Sequence, residues 1–276
     1  MERNEEQMKT IQFNSQGKNV GKMEVINQTE TTAELNICGD IVSDNWGKWS
    51  DDDTCPSDIL NFLKSLDGVE EINLHINSGG GSVFGGIAIY NMLKQHKAKI
   101  TTHVDGIAAS IASVIACAGD TVMMPTNGTF MVHKPSSLYF GEMNADELRK
   151  EAEILDTCQK AILQSYMAKV KDGVTEEQIN KLINDETWLI GENVADYFDF
   201  KFEESVKAVA CSSECFERYR NVPKDLIADK AEATGVDIAE LANTVTKQVL
   251  ETIEAKEKAT REETKNEILN GLEHFG

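Results

Sequence analysis

The 276-residue chain carries 47 acidic against 27 basic side chains, a formal net charge of −20, with 41% hydrophobic residues. Such acidity argues against nucleic acid and anionic membrane as partners, while the apolar fraction is enough to fill a core. The cysteines (Cys38, Cys55, Cys117, Cys158, Cys211 and Cys215) form no CxxC pair and have no histidine at zinc-ligand spacing. They read as reduced thiols, and no metal or other cofactor is expected. The first residues, MERNEEQMKT, lack the apolar stretch of a signal peptide, and no apolar run is long enough to span a bilayer. The expected location is the cytoplasm.

Residues 1–32 are polar and form an arm, either frayed or an early hairpin. Residues 33–41 alternate apolar and polar, which predicts a strand. The loop 45–56 holds Trp46, Trp49 and the run Asp51-Asp52-Asp53, which lacks calcium-loop spacing and reads as a solvated turn. Ile59, Leu60, Phe62, Leu63 and Leu66 have helical spacing, with Ser57 as a plausible cap. A strand over 71–76, a helix over 82–93, a strand over 99–104 and an all-apolar helix over 110–118 follow. Strands over 121–124 and 129–133 come next. This alternation, with connections too long for hairpins, predicts an α/β fold with a largely parallel sheet. Residues 144–170 form one amphipathic helix of roughly 40 Å, long enough to pack partly on a second subunit. A capped helix starts at Thr175, and a helix near 192–197 and a last strand complete the domain at about residue 203. Residues 204–276 read as an acidic tail of one or two amphipathic helices, with Ile238, Leu241, Val245, Val249 and Ile253 near helical spacing.

The chemistry-bearing residues lie at strand ends between Leu74 and Pro135. Asn77-Ser78-Gly79-Gly80-Gly81-Ser82 is a glycine turn entering a helix; its bare N–H groups suit a phosphate or an oxyanion, and the Walker lysine is missing. Ser110 sits on a small-residue turn, Gly106 to Ser113, also entering a helix. Such a serine is either a helix cap or a nucleophile, with the N–H of Ile111 beside it and Ser113 as the rival nucleophile. His133 ends an alternating strand and is the best base among the five histidines. Ligands in parallel α/β sheets sit at strand carboxyl ends, so one cleft can hold all three turns.

Three segments, INSGGGSVFGGIAIYNML, DGIAASIASVIACAGD and MVHKP, together resemble the Clp protease proteolytic-subunit (ClpP) family of serine peptidases. The resemblance covers roughly residues 33–202. It implies the ClpP/crotonase-like fold of repeated β-β-α units, with 144–170 as the handle helix that interleaves subunits of homo-oligomeric rings. It implies Ser110 as nucleophile, His133 as general base, and the N–H groups of Gly81 and Ile111 as oxyanion hole. The acidic third member falls on Glu186, or on Asp185 after a one-residue slip, and no cofactor is needed. Gly79 stands where the family usually has proline. The acidic tail, the DETW segment (185–188) and FERYRNVP (216–223) look like the related head maturation (prohead) proteases of tailed bacteriophages. That likeness implies ATP-independent cleavage of capsid or scaffold precursors inside assembling proheads in the bacterial host cytoplasm. The alternatives are a housekeeping-type Clp peptidase subunit, a scaffold protein with an incidental protease domain, and a crotonase-type acyl-CoA enzyme that would not need Ser110 and His133.

Overall fold

The structure is a computed structural model, and it describes residues 9–15, 18–25, 31–66, 68–204 and 213–223. The helical tail expected beyond residue 204 lies outside the described residues, apart from 213–223, as do Cys211 and His274. All described residues fall within one unit, Met1–Pro223.

The early arm contains an antiparallel hairpin, β1 (Lys9–Ser15) with β2 (Lys18–Val25). The main sheet begins with β3 (Thr32–Ile41), β4 (Glu71–Gly81) and β5 (Lys99–Ala109). It continues with β6 (Thr121–Pro125), β7 (Thr129–Val132), β8 (Thr187–Ile190) and β9 (Lys201–Glu203). Its main path, β3-β4-β5-β6-β9, is parallel throughout. Parallel neighbours need crossovers. For β3–β4, β4–β5 and β5–β6 these are supplied by α1 (Pro56–Ser65), α2 (Val83–Gln95) and α3 (Ile111–Ala116), while the β6–β9 crossover takes up the chain from 126 to 200. Period-two alternation buries Ala33, Leu35 and Ile37 on β3, Ile72, Leu74 and Ile76 on β4, and Ile100 and Val104 on β5. The α/β architecture read from the sequence is the one observed.

Three differences have clear causes. First, β4 and β5 run further than their alternating stretches, because a bulge between Ile76 and Ser78 keeps them paired out to Ser78 and Ala108. Second, β8 pairs antiparallel with β7; four residues tucked between a helix cap and a 3-10 turn carry too little periodicity to read. Third, the start of α1 is held by Asp58, whose carboxylate accepts the Cys55 N–H at 2.8 Å, and Ser57 is not the cap. Asp53 also departs from the solvated-turn reading. It is buried, and accepts the N–H groups of Asp40, Trp49 and Ser50 at 3.0, 2.9 and 3.0 Å.

The long helix α4 spans Ala145–Met167 and is followed by α5 (Glu176–Asn184), with Asn144 and Thr175 as N-caps. Near the end of α4, the buried Tyr166 meets Phe130 of β7 and Phe198 edge-on, which ties the helix to the sheet. On the other side of the site, α2 and α3 touch through Gly86. A Cβ there would come 2.1 Å from Cγ1 of Ile111. Gly86→Val is therefore expected to lower unfolding stability by about 1–3 kcal/mol through overpacking, read as a lower urea midpoint at unchanged m-value.

Candidate active site

The site is made by a fork in the sheet. The first half of β5, Thr101–His103, pairs with β6, whereas its last residues, Ile107–Ala109, pair with β7. The fork brings the end of β5 beside the end of β7. There the Ser110 N–H donates to the Met131 carbonyl at 2.9 Å, one residue beyond β5 and two before His133. Ser110 then turns into α3 with φ 55 and ψ −127. A positive φ in a residue with a Cβ costs about 1–3 kcal/mol and is held only by its surroundings.

The helix-cap alternative for Ser110 does not hold, since its side chain caps no N–H of α3. Its Oγ lies 2.7 Å from Nε2 of His133 instead. Ser113, the rival nucleophile, is fully buried. Its hydroxyl donates to the Ser110 carbonyl at 2.5 Å and shares a 2.7 Å hydrogen bond with the Tyr166 hydroxyl. Ser113 thus holds the turn on which Ser110 is presented.

The glycine run comes from the end of β4. Ser78, buried, donates to the Gly39 carbonyl at 2.5 Å and accepts the Gly80 N–H at 3.1 Å, which sets the path of the strand. A Cβ on Gly80 would come 2.6 Å from Cβ of Ser110. Gly81 has φ 142, and a Cβ there would come 2.1 Å from the Ile41 carbonyl oxygen. The bare backbone of Gly81 borders the same cleft as Ser110, Ile111 and His133. Ile111 opens α3, so its N–H has no acceptor within the helix. A serine hydroxyl on an imidazole, facing two candidate donors for an oxyanion, is suited to acyl transfer.

His133 is mostly enclosed, and this burial holds its pKa below the usual imidazole range, while the charge of Glu186 acts in the opposite direction. The two candidate acids differ. Asp185 caps α5, and its exposed carboxylate pairs with Lys181. Glu186 has φ 51, and its Oε1 accepts the N–H groups of Arg220 and Asn221 at 2.6 and 2.7 Å. Among the described residues, no carboxylate is hydrogen-bonded to His133.

One part of the site was not anticipated. Cys215, Arg218 and Tyr219 line the cleft. Tyr219 lies edge-on to His133, ring centroids 4.9 Å apart, and donates to the Gly79 carbonyl at 2.5 Å. The sequence signal for this was the pairing of an unusual glycine at 79 with the FERYRNVP segment, two features with no visible connection until the chain is folded.

The Clp protease family model matches residues 50–197. The ATP-dependent Clp protease proteolytic subunit of Streptococcus pyogenes serotype M5 is 33% identical over 142 residues, covering 50% of this chain and 70% of that protein. The subunit of the same name from Streptococcus gordonii is 32% identical over 141 residues, with the same coverage.

A general base must be neutral to act, and burial favours neutral His133. The acid limb of kcat/KM for a short peptide is therefore expected at a pH below the ordinary imidazole value of about 6.5, with activity lost as pH falls through it. A pH–rate profile with its acid midpoint above ~7 would contradict this placement of the base.

Proposed function

The chain belongs to the Clp protease family of peptidases, and we propose that it works as an ATP-independent serine endopeptidase that cuts capsid or scaffold precursors during bacteriophage head maturation. The observation that carries the chemistry is the 2.7 Å contact between Ser110 Oγ and His133 Nε2 on a strained turn. Ser110 Oγ attacks the peptide carbonyl carbon as its proton passes to His133 Nε2. The oxyanion is held by the N–H groups of Gly81 and Ile111, each such donor being worth about 3–4 kcal/mol in the transition state. His133 gives the proton to the departing amine, and then activates the water that hydrolyses the acyl-serine ester. Glu186 is the better third member, because its charge acts on His133 while Asp185 is turned to Lys181.

The head-maturation role rests on the acidic extension and the FERYRNVP segment, both outside the family match, and on the DETW segment within it, which meets FERYRNVP where Glu186 accepts the Arg220 and Asn221 N–H groups. The protease acts in the host cytoplasm, within assembling proheads. It forms homo-oligomeric rings through α4, which leaves Leu148 and Ile154 exposed, next to a loop exposing Leu138 and Phe140. A housekeeping-type Clp peptidase subunit is the second reading, favoured by the names of the relatives.

Wild type and Ser110→Ala separate these cases. Intact mass, fluorophosphonate labelling and cleavage of a co-expressed capsid precursor are compared without nucleotide. Labelling and precursor cleavage are expected in wild type and should fall by at least ~10³-fold in Ser110→Ala, with fold and oligomer unchanged. Cleavage of full-length protein only when an unfoldase and ATP are added would select the housekeeping reading. Labelling that survives in Ser110→Ala would move the nucleophile.

A further inference from the structure

We propose that the segment Ser213–Pro223 is a built-in inhibitor of the peptidase, docked on the catalytic cleft and displaced before substrate can bind. The inference rests on the assignment of Ser110 as the nucleophile. Each anchor of the segment falls on, or next to, a group that substrate binding or catalysis needs. Ser213 is buried; its hydroxyl donates to Oδ1 of Asp40 at 2.5 Å and accepts the Cys215 N–H at 3.1 Å. A 3-10 turn over Glu214–Arg218 then carries the chain across the cleft. Tyr219 covers the His133 ring and takes the Gly79 carbonyl. Gly79 falls at the register shift with β3 and just past the last register pair with β5, two residues before the Gly81 backbone that borders the cleft, and its carbonyl accepts from Tyr219. Arg220 and Asn221 end the segment on Glu186, through two N–H donors to one carboxylate oxygen. The Asn221 amide adds bonds to the carbonyls of Asp185 and Glu186 at 3.2 and 3.3 Å.

The segment lies as a plug and not as a substrate. Among the described residues, none of its carbonyls is hydrogen-bonded to the N–H of Gly81 or Ile111. Residues Glu214–Arg218 are coiled, whereas a peptide presented for cleavage along a strand end is extended. The protease domain is also shaped to receive it. A Cβ at Gly79 would come 2.2 Å from Ser213 Oγ and 3.3 Å from the Phe216 ring. The glycine that replaces the family's usual proline is what leaves room for the segment. The docked state also engages the base and the carboxylate proposed to orient it: Tyr219 packs on the imidazole, and the N–H groups of 220 and 221 engage the Glu186 carboxylate.

The test uses the full chain in four forms: wild type, Tyr219→Ala, Ser213→Ala and Tyr219→Ala with Ser110→Ala. The readouts are the rate of fluorophosphonate labelling, followed by intact mass, and hydrolysis of a short fluorogenic peptide, with thermal melts confirming folding. Tyr219→Ala is expected to raise both rates about tenfold or more. Ser213→Ala, which removes the Asp40 anchor and the acceptor for the Cys215 N–H, should raise them by a smaller factor and serves if Tyr219→Ala does not fold. The gain from Tyr219→Ala should vanish when Ser110 is also Ala. Equal, Ser110-dependent rates in wild type and the strap variants would overturn the inhibitor while leaving the peptidase intact. Lower rates in the strap variants would also overturn it, and would make the segment a support of the active site. Labelling that persists without Ser110 would instead overturn the nucleophile assignment.

Discussion

The whole site depends on one peptide unit, the Ser110 turn. Its N–H is fixed by the Met131 carbonyl of β7, and its carbonyl by the Ser113 hydroxyl. These two bonds clamp both ends of a residue that would not adopt φ 55 on its own. The clamp is what points Oγ at His133, with Ile111, the next residue, lining the same cleft. A turn that relaxed to an ordinary negative φ would swing the hydroxyl away from the imidazole. It would then become an ordinary helix cap, which is the conformation that sequence statistics favour for a serine in this position.

The clamp reaches well beyond its own loop. Ser113 is itself bonded to Tyr166, a buried phenol near the end of α4, and burial pushes the Tyr166 pKa strongly up, so its hydroxyl stays protonated and available as a donor. Tyr166 packs on Phe130, which belongs to the strand that carries Met131. Ser110 is therefore held from two directions by one continuous block: β7 through the backbone, and α4 through Tyr166 and Ser113. The geometry of the nucleophile is in this way tied to the seating of the long helix.

Much of this was legible in the sequence, and the reasons are physical. Strands buried on one face announce themselves by alternation, and the small-residue run from Gly106 to Ala118 announces close packing. Strand-end position made Ser110 and His133 candidates, with Ser113 as a rival, and the resemblance of three motifs in order is what singled the pair out. The acid was left between Asp185 and Glu186 because adjacent residues on a helix cap differ only in direction. Glu186 has φ 51, a backbone state that side-chain chemistry does not encode, and its carboxylate accepts from Arg220 and Asn221 while that of Asp185 pairs with Lys181. The roles of Ser113 and Asp53 were hidden for a similar reason. Both are polar residues whose partners lie in the backbone of a turn, so nothing in their own neighbourhood marks them as buried. The contacts of Ser213, Tyr219 and Asn221 were the least visible of all, since they join segments about 34 to 173 positions apart without any repeating pattern.

Gly79 shows how a single departure can reorganise a site without altering its chemistry. Gly81 must be bare because a Cβ there would meet the Ile41 carbonyl oxygen, and that constraint is met whatever stands at 79. The bare backbone at 79 has its effect where the segment docks: a Cβ there would come 2.2 Å from Ser213 Oγ, a distance that forbids it, and 3.3 Å from the Phe216 ring, a tight contact. The carbonyl of the same residue is the acceptor that Tyr219 takes. Space and an available acceptor thus coincide at one point, immediately beside the cleft, and one segment of the chain uses both. The end of that segment uses the one charged group that acts on the base, because Glu186 offers its carboxylate to two consecutive N–H groups in the manner of a helix N-cap. Binding at Gly79 and binding to Glu186 are therefore parts of the same proposed docking event, and Ser110 and His133 remain in contact beneath it.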